Sequence, residues 1–274
     1  PWYFNPDSLD ERSPDIRKSF LNYSISSGLI YNPTSKWNFK LNLSRSFRVP
    51  QVAELASNGV HHGTFRHEVG NAELDSEIGY HADMSFNYLG EKLLFKFTPF
   101  YNYYSNYIYL RPSSRFSTLP DAGQLYLYTQ AEVIITGAEF YIDLHPLEGF
   151  HISNGLEYIY NFNLDTRLPL PFTPPVSNLL ALSYEPISGL KLIGEWRHTL
   201  DQERVDRNEP VTPGYDLLNI KIRKSFSLGS TKLNAGLSVL NVFNTAYLNH
   251  LSRYRILNLP EQGRNIILNV SLAF

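Results

Sequence analysis

Three histidines fall within seven residues in the stretch GVHHGTFRHEVGN, residues 59–71. Imidazole is a common metal ligand, so His61, His62 and His67 could offer three nitrogens to one ion. A structural zinc site wants a fourth ligand on a rigid frame. The same side chains could instead line the lip of a binding pocket. They could also be solvated groups on a loop that Gly59, Gly63 and Gly70 shape. These three readings stay open on the residues alone. A second set is Arg111, Arg115, Arg204, Arg207, Arg253 and Arg255, with Tyr126 and Tyr254 close in sequence. Guanidinium pairs bidentately with carboxylates, and a phenol combines stacking with a hydrogen bond, which suits anionic ligands. Charge that keeps loops soluble explains the same residues.

The elements that must hold these groups follow from composition and period. The chain has 274 residues, a formal net charge of −2 and no cysteine. The charge offers no basic field for nucleic acid, and nucleic acid is not expected as a partner. The missing cysteines remove disulfides, thiolate zinc sites and cysteine nucleophiles together. No run of about 18 apolar residues is present, so a helical membrane span is excluded. A membrane β-barrel is not, because its signal is alternation.

Alternation runs through the chain. In KWNFKLNLSRSF, Trp37, Phe39, Leu41, Leu43 and Phe47 oppose Asn38, Lys40, Asn42, Ser44 and Ser46. In EIGYHADMSFNY, Ile78, Tyr80, Ala82, Met84, Phe86 and Tyr88 oppose Gly79, His81, Asp83, Ser85 and Asn87. Period two marks a strand with one apolar and one wet face. About eleven such strands are expected, near 19–31, 36–48, 76–89, 92–109, 125–144, 149–162, 176–185, 190–200, 214–227, 232–243 and 264–274. Many exceed the five or six residues of soluble strands and suit a tilted membrane crossing of roughly 9–11 residues. The connections alternate. Short turns lie at 32–35, 89–92, 145–149, 185–189 and 228–231, and long polar links at 49–75, 110–124, 163–175, 201–213 and 244–263. That is the plan of an all-β, antiparallel transmembrane β-barrel with inner turns and outer loops. Leu41, Leu43, Met84, Phe86, Leu268 and Val270 are expected to face lipid, and Asn42, Asp83, Ser85 and Asn269 the lumen, because an unpartnered amide or carboxylate in lipid is costly. Tyr101, Tyr103, Tyr104, Tyr107 and Tyr109 are expected in an interfacial girdle. Arg45 falls on the apolar face and is placed at the outer rim, where its cost is small.

Several words within this pattern resemble one family, the TonB-dependent outer-membrane receptors. SFRVPQVAEL, GVHHGT and HEVGNAELDSE resemble its R-x-P…E-L…G-x-H…G-N-x-x-L-x-x-E sequence through Arg48, Pro50, Glu54, Leu55, Gly59, His61, Gly70, Asn71, Leu74 and Glu77. Ala131, Ile135, Gly137 and Glu139 resemble its A-x-I-x-G-x-E strand, with one residue too many between Ala131 and Gly137, and LPFTPP resembles the proline-rich loop that follows. The ending matches through Asn241, Val242, Asn244, Tyr247, Gly263, Arg264 and the terminal Phe274, which resembles the signal read by the outer-membrane assembly machinery.

The resemblance covers roughly residues 45–274 and implies a location in the outer membrane of a Gram-negative bacterium. It implies lipid as surroundings, TonB as a partner through a part not present here, and a scarce nutrient as cargo, most often an iron chelate such as a siderophore or haem. It implies no catalytic residue and no resident cofactor or metal. Some haem receptors of the family carry a histidine between F-R-A-P and N-P-x-L words. Here FRVP and GNAEL bracket His61, His62 and His67, although siderophore receptors share the flanking words. With Arg48 these residues and the loop arginines and tyrosines form the expected ligand-binding set. The family's barrel has about 22 strands around a plug. Nothing here resembles the plug, so the chain reads as a single unit, residues 1–274, from the C-terminal half of a barrel. The alternatives are a small complete barrel acting as a porin, or an enzyme resembling outer-membrane phospholipase A through His151-Ile152-Ser153.

Overall fold

The computed structural model describes residues 16–61, 63–119, 122–229 and 231–274. The described residues form thirteen strands, one short helix and a single 3-10 turn. The wall runs through eleven strands in chain order: β1 (Ile25–Tyr31), β2 (Trp37–Arg48), β5 (Glu77–Leu89), β6 (Leu93–Phe116), β7 (Gln124–Leu147), β8 (Phe150–Asn163), β9 (Ser177–Ile187), β10 (Leu190–Thr199), β11 (Tyr215–Leu228), β12 (Thr231–Leu240) and β13 (Asn265–Ala273). Every wall pair is antiparallel. Among the described residues β1 and β13 do not pair, so the sheet is an open segment of barrel wall.

Two strands lie off the wall. The first long link folds into α1 (Val52–Ala56) and a hairpin of β3 (Asn58–His61) and β4 (Arg66–Val69). The count therefore rises from eleven to thirteen, and one pairing departs from the antiparallel expectation. His67, Glu68 and Val69 run parallel to Leu125, Tyr126 and Leu127 of β7. The cause is an open edge: β8 leaves β7 where Asn163 faces Val133, and β4 occupies the backbone groups exposed above that point.

The link expected at 110–124 is mostly strand. β6 and β7 have 24 residues each, more than twice the roughly 9–11 needed to cross, so their hairpin rises well above the outer interface.

Register sets the two faces. Leu268, Leu237, Ile222, Leu192 and Tyr184 lie in one cross-strand row, and Leu29, Leu41 and Met84 in another. Asn42 faces Asp83, and Lys40 faces Ser85, on the opposite side. Outward rings collect at two heights. Trp37 lies 5.6 Å from Phe39 and 4.9 Å from Tyr88 near the inner turns. Tyr80 and Tyr103 lie 6.2 Å apart near the outer rim. There too the Arg45 guanidinium rests 3.9 Å from the Tyr23 ring and donates to the Tyr23 carbonyl, so an outward arginine is held by interfacial groups.

Two of the five tyrosines expected in the girdle face outward. A bulge between Tyr104 and Tyr107 flips the alternation, and Asn106 adopts a left-handed φ of 58° there. Tyr101 and Tyr103 stay outward, while Tyr104, Tyr107 and Tyr109 pack against Ala131, Val133, Ile135 and Leu170. This small core sits where the 164–176 link folds back over the inner wall.

The outward face carries one polar exception. Asn154 and Asn178 share the parity of Ile152 and Leu182, yet each amide donates to the other's carbonyl oxygen, at 2.9 and 3.0 Å. The reciprocal pair satisfies part of each group's hydrogen-bonding capacity without water.

Candidate functional site

The outer mouth holds most of the residues singled out by chemistry, in three different situations. Arg48 ends β2 and is fully engaged. Its guanidinium donates to both Glu54 carboxylate oxygens, at 2.9 and 2.8 Å, and to Glu77 at 3.2 Å. Glu77 also accepts the Ile108 N–H, the Asn71 N–H donates to the Glu54 carbonyl, and Leu74 is buried beside them. Gly70 approaches so closely that an added Cβ would lie 2.6 Å from the Ala56 nitrogen. The R-x-P…E-L…G-N…L…E word is thus one structural clasp that folds the first link onto the wall.

Among the described residues, the histidines of that link form no metal-ligand group. His62 lies outside the described residues. His61 is exposed at the end of β3, and the Thr64 N–H and hydroxyl donate to its carbonyl. His67 is on β4, with Nδ1 2.8 Å from the Ser117 hydroxyl and Nε2 3.1 Å from the Asn58 amide oxygen. Both His67 nitrogens are occupied by the fold, which argues against this ring as a ligand.

Arg255 and Tyr126 are buried. The Arg255 side chain is 3% exposed and pairs with Glu209, itself 2% exposed. Arg255 also donates to the Pro210 carbonyl at 3.1 Å and the Thr212 hydroxyl at 3.2 Å, with His250 Nδ1 at 2.8 Å. Glu209 accepts the Phe172 N–H at 2.9 Å. Burial alone would raise the Glu209 pKa, but the His250 hydrogen bond, the Phe172 N–H and the Arg255 charge hold it below the usual carboxylate value. Tyr126 stacks on Phe172, and the Arg66 guanidinium covers both rings at 4.7 and 4.6 Å. These groups tie the links 164–176, 200–214 and 241–264 into one cap. Arg204 sits 3.8 Å over Tyr160, a ring with outward parity, so it caps the outer wall rather than the vestibule. Arg253 and Tyr254 are exposed.

Three of the arginines converge. Arg111 and Arg115 on the raised part of β6, and Arg207 on the 200–214 link, line one cavity of about 340 Å³ with Asp206, Asn208 and Thr166. Burial pushes the Asp206 pKa up, against the Arg207 N–H and the Arg111 charge. The cavity brings three arginines together, Arg111 half-buried and Arg115 and Arg207 exposed, and guanidinium groups form strong charge-assisted hydrogen bonds with anions. Asp206, Asn208 and Arg66 were not singled out from sequence, because nothing in their spacing ties the 200–214 link to β6.

Among the described residues one group of three side chains stands at metal-ligand distance: Asp143, His145 and His151, at the opposite end of the wall. The sequence reading expected no metal and paired His151 with Ser153 instead.

The model of the TonB dependent receptor-like β-barrel family matches residues 3–244. The chain belongs to this family. Its barrels lie in the outer membrane of Gram-negative bacteria, and its members are transport receptors, not enzymes, which removes the phospholipase alternative. No curated protein matches the sequence. Among solved structures the receptor segment is similar to the copper transporter OprC, with TM-score 0.75 and 20% identity over 89% of this chain and 38% of that one. It is similar to the FrpB iron transporter from Neisseria meningitidis, with TM-score 0.65 and 20% identity over 91% of this chain and 39% of that one. The ferric enterobactin receptor PfeA from Pseudomonas aeruginosa, as its G324V mutant, gives TM-score 0.65 and 19% identity over 92% and 40%. The chain therefore spans about two fifths of the length of these receptors.

Proposed function

We propose that this chain forms the C-terminal half of the wall and outer vestibule of a TonB-dependent receptor that takes up an anionic iron chelate, a siderophore or haem. The observation that carries the cargo class is the cavity at the outer mouth, where Arg111, Arg115 and Arg207 meet from two links far apart in sequence. The copper, iron and ferric enterobactin receptors named above share the fold and support metal-linked cargo without choosing among chelates. The open edges of β1 and β13 support the half-barrel reading, since unpaired backbone groups in lipid cost several kcal/mol each. Further strands would pair with both edges, and TonB would act through a part of the receptor outside this chain.

The test is radiolabelled iron uptake by cells in which the complete receptor is the one route, with ferric catecholate, hydroxamate and carboxylate chelates and haem supplied in turn. Uptake of at least one anionic form, abolished when TonB is inactivated, is expected. Uptake of none, or uptake that survives loss of TonB, overturns the reading.

A further inference from the structure

The inner end of the wall carries a group of side chains that the receptor reading does not use. β7 and β8 meet there across a tight turn, with Leu144 opposite Ile152. The register shifts between that pair and Leu147–Phe150, and His145 and His151 come together inside the irregularity, with Asp143 two residues before His145. Asp143 belongs to a row with Ser153, Ala181, Glu195 and Asn219, the wet side of the sheet. The three side chains therefore project together into the lumen beside the inner turns.

Their geometry is that of a partly built coordination sphere. One ligand atom from each of Asp143, His145 and His151 lies within 4.8 Å of the other two. The imidazole centroids are 4.2 Å apart. His145 Nε2 lies 3.2 Å from Asp143 Oδ1. That contact is within ion-pair distance but makes no hydrogen bond, so Asp143 Oδ1 is a buried oxygen without a donor among the described residues. A buried carboxylate oxygen left without a donor is costly. A divalent ion answers that cost, because it supplies positive charge to the carboxylate and takes the two imidazole nitrogens as further ligands. Ligand atoms around one zinc ion, each about 2 Å from it, lie at most about 4 Å apart, so a rotamer adjustment on this short hairpin closes the site.

We infer that Asp143, His145 and His151 bind a divalent first-row transition cation at the inner mouth of the barrel. Two imidazole nitrogens and one carboxylate oxygen suit zinc, nickel or copper rather than magnesium or calcium. Three protein ligands leave at least one position open toward the lumen, for water or for a group from whatever fills it. The metal chemistry rests on the local geometry, and its place at the inner mouth rests on the barrel assignment.

The experiment is a zinc titration of the complete receptor, purified in detergent without a polyhistidine tag, against a chromophoric chelator, with cobalt spectra as a second readout. One saturable site per receptor is expected, with cobalt d–d bands of a four- or five-coordinate nitrogen and oxygen site. His145→Ala combined with His151→Ala should abolish it, and Asp143→Asn should weaken it at least about tenfold. Variants at His61, His67 and His198 should leave it unchanged. Heat-modifiable gel mobility checks folding, and the milder His151→Gln carries the test if the double variant misfolds. No saturable binding, binding indifferent to the 145/151 changes, or binding lost through the loop histidines overturns the inference. Zinc held by these ligands in a receptor that carries no iron chelate would leave the site standing and remove the proposed cargo alone.

Discussion

At the inner end of the wall, β9 and β10 are joined by Ser188 and Gly189, and the Ser225 N–H caps the turn through the Gly189 carbonyl. Gly189 takes a φ of 73°, where a side chain would be strained. At the outer end, β10 and β11 are joined by residues 200–214, whose buried Gln202, Glu209 and Thr212 find partners on the 164–176 and 241–264 links and whose Asn208 donates to the Pro112 carbonyl on β6. The inner connections are fixed by local backbone geometry. The outer ones are fixed by satisfying buried polar groups across distant links. A change at an outer residue should therefore spread between loops, whereas a change at the inner end or on the wall should stay local.

The largest effect should come from the buried pair. Arg255→Met removes the guanidinium that Glu209 and His250 share, a loss of about 3–5 kcal/mol when one member of a buried pair is removed. Hydrogen exchange should accelerate in residues 164–176, 200–214 and 241–264 together and stay unchanged at the inner turns. Acceleration confined to 241–264 would break the comparison. The same pair gives a pH dependence. Glu209 is held below the ordinary carboxylate value of 4.5, so its contribution is present at neutral pH and is lost as pH falls through the lowered value. Cap exchange should rise there, and the Glu209→Gln receptor should lack this transition.

On the wall, Leu237→Arg should cost about 2–4 kcal/mol in denaturant unfolding from lipid vesicles, and Ser238→Arg, one residue on and facing the lumen, much less. Equal costs would mean the faces are misassigned. A smaller effect is expected at the amide pair. Asn178→Leu strands Asn154 and should cost about 1–3 kcal/mol, while Asn154→Leu with Asn178→Leu should recover most of that loss. Additive losses in the double variant would show that the two amides act separately.

The wall was legible because a β-strand writes its two faces in alternate residues. Leu41, Met84 and Leu268 could be assigned without any contact information, and the short turns stood where chain reversal needs glycine. Tyr107 and Tyr109 were misplaced because a single bulge at Asn106 inverts parity, and one extra residue leaves no strong mark in composition; Tyr104, before the bulge, is inward by plain alternation with Tyr103. The β3–β4 hairpin was missed because its four-residue strands answer an open edge of β7. The candidate site was legible by residue type and not by grouping. Arg111, Arg115 and Arg207 share a cavity, whereas Arg255, of the same residue type, is a buried pin. What separates them is which distant link folds over each. For Asp143, His145 and His151 a signal was present: two positions two apart at the end of one strand and a third at the start of the next, across a tight turn, fall near one another in an antiparallel hairpin.

The claim that the outer mouth binds an anionic chelate is tested most directly by affinity. The complete receptor in detergent is titrated with a ferric tricatecholate chelate, followed by fluorescence quenching, and compared with Arg111→Ala, Arg115→Ala and Arg207→Ala singly and together. Charge-assisted hydrogen bonds contribute about 1.5–3 kcal/mol each, so each single change should weaken binding by about tenfold or more and the triple change should remove it. Arg253→Ala and Tyr254→Ala, outside the cavity, should change affinity little. A triple variant that binds the chelate as tightly as the parent receptor would contradict the account.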